Sequence, residues 1–351
     1  MKVLIACGGT GGHIYPGIAI AQEFTKHNHE VFFIGAENKM ETNIIPKYNY
    51  SIYGLPIEGI NRKSLLSNIS LLYKIFKSRL KAKKIIKNEK PDVIIGTGGY
   101  ASFIPTALGI QYHIPVYIQE QNAVPGLINK IIGKYAKAIF SAFDDIQNYY
   151  SSKAKIFNYG NPIRSFPIVN KEEAYKFFNF SSTKKTILVL SGSGGAKDII
   201  THVNEMIPKL LEKNIQIIIP AGKYKSLITH SHVNLYVKEY IENIHLAYNI
   251  SDLVISRAGA LSLTEISYMK KPSIVIPSPN VANDHQLKNA LSFHKKQAII
   301  LLEEKNINEL NEVLINTLFD EDLLKQLRDN ISLFYQYNST EKIYNHIINE
   351  L

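Results

Sequence analysis

Short apolar runs alternate with longer stretches of helical periodicity along almost the whole chain. In the first half the runs fall at 2–7, 30–34, 51–55, 92–96, 115–119, 138–141 and 156–158. In the second they fall at 186–191, 215–219, 233–237, 253–256, 273–276 and 298–301. Continuous runs such as Thr186-Ile187-Leu188-Val189-Leu190 suit strands covered on both faces, and their alternation with helices predicts parallel sheets with right-handed crossovers and ligands at the carboxyl ends. Past Asp320 the pattern is helical, with Ile331, Phe334, Tyr335, Ile343, Ile347 and Ile348 as its apolar positions. The expected class is α/β.

Three glycine-rich turns each follow a strand run: Gly8-Gly9-Thr10-Gly11-Gly12-His13, Gly96-Thr97-Gly98-Gly99-Tyr100 and Ser191-Gly192-Ser193-Gly194-Gly195-Ala196. Glycines turn the backbone tightly and expose N–H groups at a helix N-terminus, where the dipole favours an anion, so the first and last read as phosphate cradles. Such turns in both halves, in a chain of 351 residues, predict two Rossmann-like domains facing a cleft. The turn-rich segment Tyr159-Gly160-Asn161-Pro162-Ile163-Arg164 marks the hinge. The expected domains are 1–163 and 164–333, with a helix over about 334–351 packing back on the first.

Charge sharpens the division. Residues 1–160 carry a net +9 and residues 161–351 only +1. Between 59 and 88 lie Arg62, Lys63, Lys74, Lys77, Arg79, Lys81, Lys83, Lys84 and Lys87 with no acidic residue, interleaved with Leu65, Ile69, Leu72, Phe76 and Leu80 at helical spacing. Two readings stand: an apolar stripe facing the core with a solvated basic back, or a surface that sits on anionic lipid headgroups. Nucleic acid fits poorly, because basic and aromatic residues do not interleave along any strand. The single cysteine, Cys7, points to a reducing compartment, and no apolar run approaches the length of a membrane span or the form of a signal peptide.

The ordered set Gly8-Gly9-Thr10-Gly11-Gly12-His13 with Pro16, Gly98-Gly99-Tyr100, Glu120-Gln121-Asn122 with Pro125-Gly126-Leu127 and Asn129-Lys130, Gly160-Asn161-Pro162-Ile163-Arg164, Arg257-Ala258-Gly259-Ala260 with Glu265, and His285-Gln286 with Asn289-Ala290 resembles the MurG family from Gly8 to Ala290. That resemblance implies a GT-B glycosyltransferase fold. It implies transfer of N-acetylglucosamine from UDP-GlcNAc to the C4 hydroxyl of undecaprenyl-diphospho-N-acetylmuramyl-pentapeptide, with inversion at the anomeric carbon, in peptidoglycan synthesis. The acceptor would bind the N-terminal domain and the donor the C-terminal one, at the cytoplasmic face of a bacterial plasma membrane held peripherally through residues 62–87. Cell-wall synthesis proteins stay open as partners.

Residue by residue, the resemblance implies His13 as general base with Glu120 in reserve, an imidazole being suited to take a hydroxyl proton near neutral pH. Donor contacts would come from Thr10, Gly11, Gly12, His13, Asn122, Arg164, Ser193, Gly194, Gly195, Ile241, Ala260, Leu261, Ser262, Glu265, His285 and Gln286. Among these, Glu265 would take the ribose diol, Ile241 would line the uracil pocket, and His285 and Gln286 would face the sugar. Acceptor contacts would come from His13, Gly98, Gly99, Tyr100, Glu120, Gln121 and Asn122. A helix N-terminus and a guanidinium can hold a diphosphate without a metal. No carboxylate cluster has metal-ligand spacing, so neither cofactor nor metal is expected.

Plainer roles compete: His13 as a helix cap, Glu265 as a solvated carboxylate, Arg164 as a brace of the hinge. The chain also departs from the family pattern, with Gln119 where a histidine precedes Glu-Gln-Asn, and Gly194 and Lys197 where glutamine and arginine are usual. Lys197 lacks the bidentate fork of arginine. Two other classes compete with the transferase. A dinucleotide-dependent oxidoreductase shares the fold, but Ile14 stands where G-x-G-x-x-G requires its third glycine. A non-catalytic, membrane-associated sugar-nucleotide binder would keep the pocket and need no base.

Overall fold

The computed structural model describes residues 1–59, 69–164, 166–167, 169–191 and 196–351. All thirteen expected strands form, each within two residues of its apolar run. In the first half they are β1 (Lys2–Cys7), β2 (Glu30–Ala36), β3 (Ser51–Leu55), β4 (Val93–Gly98), β5 (Val116–Glu120), β6 (Ala138–Ser141) and β7 (Ile156–Asn158). They build one parallel sheet in the order β3-β2-β1-β4-β5-β6-β7. In the second half β8 (Thr186–Leu190), β9 (Gln216–Pro220), β10 (Leu235–Lys238), β11 (Leu253–Ser256), β12 (Ser273–Val275) and β13 (Ile300–Leu301) build another, in the order β10-β9-β8-β11-β12-β13.

The chain divides into two compact units, Met1–Arg164 with Gln336–Leu351, and Ser165–Tyr335. In the first, the period of two along β1 sends Val3, Ile5 and Cys7 to one face of the sheet and Leu4 to the other. The odd face is covered by Ile14, Ile18 and Phe24 of α1 (Gly11–Lys26) and by Ile343 and Ile347 of the last helix, Ser339–Glu350. That helix is fixed by polar contacts as well: Tyr117 Oη donates to Glu350 (3.1 Å), Tyr159 Oη lies 3.1 Å from His346 Nδ1, and the Tyr344 ring stacks on His27 at 4.1 Å. Gly160 admits its approach, with φ +81° and a position where a Cβ would lie 2.6 Å from Gln336 Cβ.

The other face is covered in part by the helix Ile69–Glu89, and here the charge-rich segment separates into two stripes. Ser78, Ala82, Ile85 and Ile86 are buried, whereas Leu72, Phe76 and Leu80 are 73%, 60% and 54% exposed. The two sets are offset by two residues, about 200° around a helix of 3.6 residues per turn. The stripe read from the sequence is therefore not the core face. A second, smaller-residue stripe makes the core contact, and the larger apolar side chains stand in solvent among Lys77, Lys83, Lys84 and Lys87. Arg62, Lys63 and Leu65 lie outside the described residues.

In the second unit, Ile187 and Val189 of β8 pack under the helix Lys197–Glu212, whose Ile199, Ile200, Val203, Ile207 and Leu210 recur at helical spacing. Its other helices relevant below are Ile244–Ile250, Ala260–Tyr268 and His285–His294.

Candidate active site

Both candidate constellations lie at the carboxyl edges of the sheets, where parallel strands hand over to helices. In the first unit, β1 ends at Cys7 and is followed by Gly8 and Gly9, the latter at φ +92°, and α1 begins at Gly11. Thr10 is the residue before the helix, yet its hydroxyl does not cap a backbone N–H and lies 3.3 Å from His13 Nδ1. The same nitrogen is 3.1 Å from the Gly8 carbonyl. A carbonyl can only accept, so Nδ1 carries the hydrogen and the lone pair of the neutral ring sits on Nε2. The backbone carbonyl of His13 is held in turn by the Thr97 hydroxyl (2.7 Å).

The turn after β4 packs directly on this ring. Gly98 (φ +102°) leaves room where a Cβ would come 2.8 Å from His13 Cδ2, and Gly99 (φ +80°) where one would come 1.9 Å from the Gly8 oxygen. Both glycines are thus required by conformation and by space. Tyr100 follows, half-buried, its ring 3.3 Å from the point where a Gly9 Cβ would be. Burial, with the charges of Glu41 and Glu58 in second place, holds its phenol above the ordinary value.

The turn after β5 is organised by Glu120, which is buried. One carboxylate oxygen accepts from the Asn122 N–H (3.0 Å) and side-chain amide (3.3 Å); the other accepts from the Gly126 N–H (2.9 Å) and Asn129 Nδ2 (2.9 Å). Burial pushes its pKa up against these hydrogen bonds, which pull it down. A carboxylate with both oxygens occupied holds residues 120–129 in shape. Gln121 is also turned inward, its side-chain amide donating to the Thr97 carbonyl (2.7 Å), while its backbone carbonyl accepts from Asn161 Nδ2 (3.1 Å). Gln119, the residue in the place of the family's histidine, is fully buried and donates to Asn161 Oδ1 (3.0 Å).

One residue of this edge was not singled out by sequence. Glu41 is fully buried beneath the first turn, accepting from Gly9 N–H (3.3 Å) and Ala36 N–H (2.9 Å). The N–H of Gly9, read as part of a phosphate cradle, is therefore already given to a carboxylate of the protein. Gly11 and Gly12 remain as first-turn amides, which no carbonyl of the helix can take. The available signal was Gly35, since a glycine inside a strand often marks a close approach.

In the second unit, β11 leads through Arg257, Ala258 and Gly259 into the helix Ala260–Tyr268. Arg257 is buried, paired with Glu304, and donates to the Ile276 carbonyl (3.3 Å). The buried amide of Asn289 donates to the Ala258 carbonyl (3.2 Å), fixing the turn from the neighbouring helix. Ala260, Leu261 and Ser262 form the first helical turn. Glu265, one turn on, is half-buried and accepts from the hydroxyl of the buried Tyr248 (3.2 Å). Gln286 accepts the Ser278 N–H (2.9 Å), and half-buried His285 opens its helix after Asn283 and Asp284, both at positive φ. Ile241 is buried just before Ile244–Ile250. A cavity of about 530 Å³ beside Ser278 and Asp284 is lined by Glu303 and Glu304 and touches neither Glu265 nor Ile241.

Ser193, Gly194 and Gly195 lie outside the described residues. Arg164 is exposed at the end of the first unit, and Lys197 is exposed at the start of the helix Lys197–Glu212. Among the described residues no group of three or more His, Cys, Asp or Glu side chains could hold a metal, and no helix is long and apolar enough to cross a membrane.

The glycosyltransferase family 28 N-terminal domain matches residues 3–141, and the family's C-terminal domain matches residues 186–341. The UDP-N-acetylglucosamine–N-acetylmuramyl-(pentapeptide) pyrophosphoryl-undecaprenol N-acetylglucosamine transferase of Bacteroides thetaiotaomicron is 40% identical over 346 residues, covering 95% of this chain and 93% of that protein. The enzyme of the same name from Amoebophilus asiaticus is 39% identical over 358 residues, with 98% of each covered. Among solved structures, Acinetobacter baumannii MurG superposes with a TM-score of 0.77 at 25% identity over 100% of this chain and 99% of that one.

Proposed function

The chain belongs to glycosyltransferase family 28, and from that premise we propose that it transfers N-acetylglucosamine from UDP-GlcNAc to undecaprenyl-linked N-acetylmuramyl-pentapeptide. The observation that carries the chemistry is the His13 ring, oriented through Nδ1 by the Gly8 carbonyl so that Nε2 is the proton-accepting atom. In this reading Nε2 takes the proton of the acceptor's C4 hydroxyl as its oxygen attacks the anomeric carbon from the face opposite UDP. The glycosidic bond to the diphosphate breaks, and inversion follows. Negative charge on the departing UDP falls to the first-turn amides at Ala260 and Leu261, to Arg164, and to Ser193, Gly194 and Gly195. Glu265 takes the ribose diol, with Tyr248 orienting its carboxylate. Ile241 lines the base pocket, while His285 and Gln286 face the sugar. Thr10, Gly11, Gly12 and Asn122 complete the donor contacts, and Gly98, Gly99 and Tyr100 shape the acceptor side. Glu120 and Gln121 hold these loops in place from below, so His13, not Glu120, is the base.

The lipid-linked acceptor stays in a bilayer, and the exposed Leu72, Phe76 and Leu80 among lysines suit an anionic membrane surface. Leu127 and Tyr135, 60% and 68% exposed and flanked by Lys130, Lys134 and Lys137, extend the same chemistry. The test is UDP release from UDP-GlcNAc with and without a lipid-linked acceptor analogue. Acceptor-dependent release supports transfer. Donor binding with no release at any acceptor concentration leaves a sugar-nucleotide binder instead.

A further inference from the structure

Burying an ionised carboxylate costs several kcal/mol unless donors surround it, and this chain clears space to do so. Glu41 has no exposed surface. A Cβ on Gly8 would lie 2.3 Å from Glu41 Oε1, and one on Gly35 would lie 2.7 Å from Glu41 Cγ. Two positions on separate strand ends are thus kept free of side chains around a single acid. Its two oxygens divide the work: Oε1 takes the Ala36 N–H at the end of β2, which is paired on both sides, and Oε2 takes the Gly9 N–H. The carboxylate therefore ties the glycine turn to the sheet. Beyond burial, the charge also pushes up the Cys7 thiol and the Tyr100 phenol on either side of the turn.

Gly9 is the residue after Gly8, whose carbonyl receives His13 Nδ1–H. The geometry points to Glu41 as a positioning residue: by holding the Gly9 N–H it sets the direction of the Gly8 carbonyl, and so the tautomer and orientation of the His13 ring. Peptide planes at two consecutive glycines rotate easily, so the helix alone does not fix that carbonyl. Glu41 touches no reacting atom and acts through the turn. The catalytic part of this inference rests on His13 as the base; the geometric part does not.

Glu41→Gln is the test, because an amide of nearly the same shape has one accepting oxygen where the carboxylate has two, and so serves Ala36 or Gly9 but not both. The ¹⁵N shifts of the His13 imidazole are read by NMR alongside steady-state kinetics. The parent is expected to show one dominant neutral form, protonated at Nδ1, and the variant a mixture. Its kcat is expected to fall 10- to 100-fold, with the UDP-GlcNAc KM within twofold of the parent. Gly35→Ala, which displaces the Glu41 stem and keeps the charge, is expected to move the tautomer ratio and kcat the same way by a smaller factor, and it serves if Glu41→Gln does not fold. An unchanged His13 tautomer in a folded variant overturns the inference, as does a parallel loss of kcat, donor affinity and melting temperature. His13→Ala separates the two readings. If that variant keeps its turnover while Glu41→Gln still shifts the tautomer, the base assignment fails and the positioning role stands.

Discussion

The carboxyl edges of the two sheets treat charge in opposite ways. The first buries two carboxylates, Glu41 and Glu120, and surrounds them with backbone N–H groups and side-chain amides. The second buries a guanidinium, Arg257, against Glu304, and keeps Glu265 half-buried, where it accepts from the Tyr248 hydroxyl. An anion buried under a glycine turn consumes a donor that a phosphate could have used, here the Gly9 N–H, which fits the proposed reading in which the first edge presents the His13 imidazole. In the function proposed above, the second edge offers its helix N-terminus and Glu265 to a ligand carrying both phosphate and hydroxyl groups.

The comparison breaks first at His13. His13→Ala is expected to lower kcat by about 10²- to 10⁴-fold with donor affinity nearly unchanged, read by single-turnover UDP release and calorimetry. Near-parental turnover would remove the first edge from the chemistry.

The two glutamates provide a paired test. Glu265→Ala is expected to weaken UDP-GlcNAc binding by about 1.5–3 kcal/mol with little change in stability, whereas Glu120→Ala leaves buried donors unpaired and is expected to cost about that much in unfolding free energy. Calorimetry and denaturant titration on both variants check it. The same profile for both would erase the distinction between a holding and a binding carboxylate.

Smaller effects are expected at the helix Ile69–Glu89, proposed above to meet the membrane. Phe76→Ser removes one exposed ring and is expected to weaken partitioning onto anionic vesicles about tenfold, within the range for burying such a side chain. Binding of the parent should also weaken with salt. Sedimentation with vesicles of defined phosphatidylglycerol content reads both, and parental partitioning by the variant would return this stripe to ordinary surface.

The smallest effect belongs to a buried charge at the opposite, amino edge of the second sheet. Lys271 donates to the Asn249 and Ser251 carbonyls at 3.1 and 2.9 Å, and burial brings its pKa down to about 8 from 10.5. The unfolded chain then holds this proton more tightly than the folded one. Stability therefore rises with pH between about 8 and 10.5, by about 1 kcal/mol from pH 8 to 9. Lys271→Met is expected to abolish that rise in urea titrations at the two pH values, and an equal rise in the variant would assign it elsewhere.

The strands were legible because runs such as Val93-Ile94-Ile95 have few alternatives to a covered parallel strand. The helix Ile69–Glu89 was legible as amphipathic but not in its orientation. Leu72, Phe76 and Leu80 repeat with the same period whether they meet a core or a bilayer, and small Ser78 and Ala82 carried no signal for the face that packs. Likewise the motif around Glu120 announced a site without revealing burial, which depends on Gly126 and Asn129 folding back over the carboxylate. Glu41 was hidden because its partners, Gly9 and Ala36, belong to separate strand ends that only the assembled sheet brings together.

The return of Ser339–Glu350 to the first sheet has a consequence for biosynthesis. A ribosome delivers residues 1–164 long before Ile343 and Ile347, so the face of α1 and β1 that those two side chains cover stays open while the entire contiguous second unit is being made. The later-made unit has all of its sequence first, and the earlier-made one must wait, with Ile14, Ile18 and Phe24 incompletely covered and prone to association with other nascent chains. A premature stop near residue 336 would therefore spare the unit next to it and leave unfinished the one that begins at Met1.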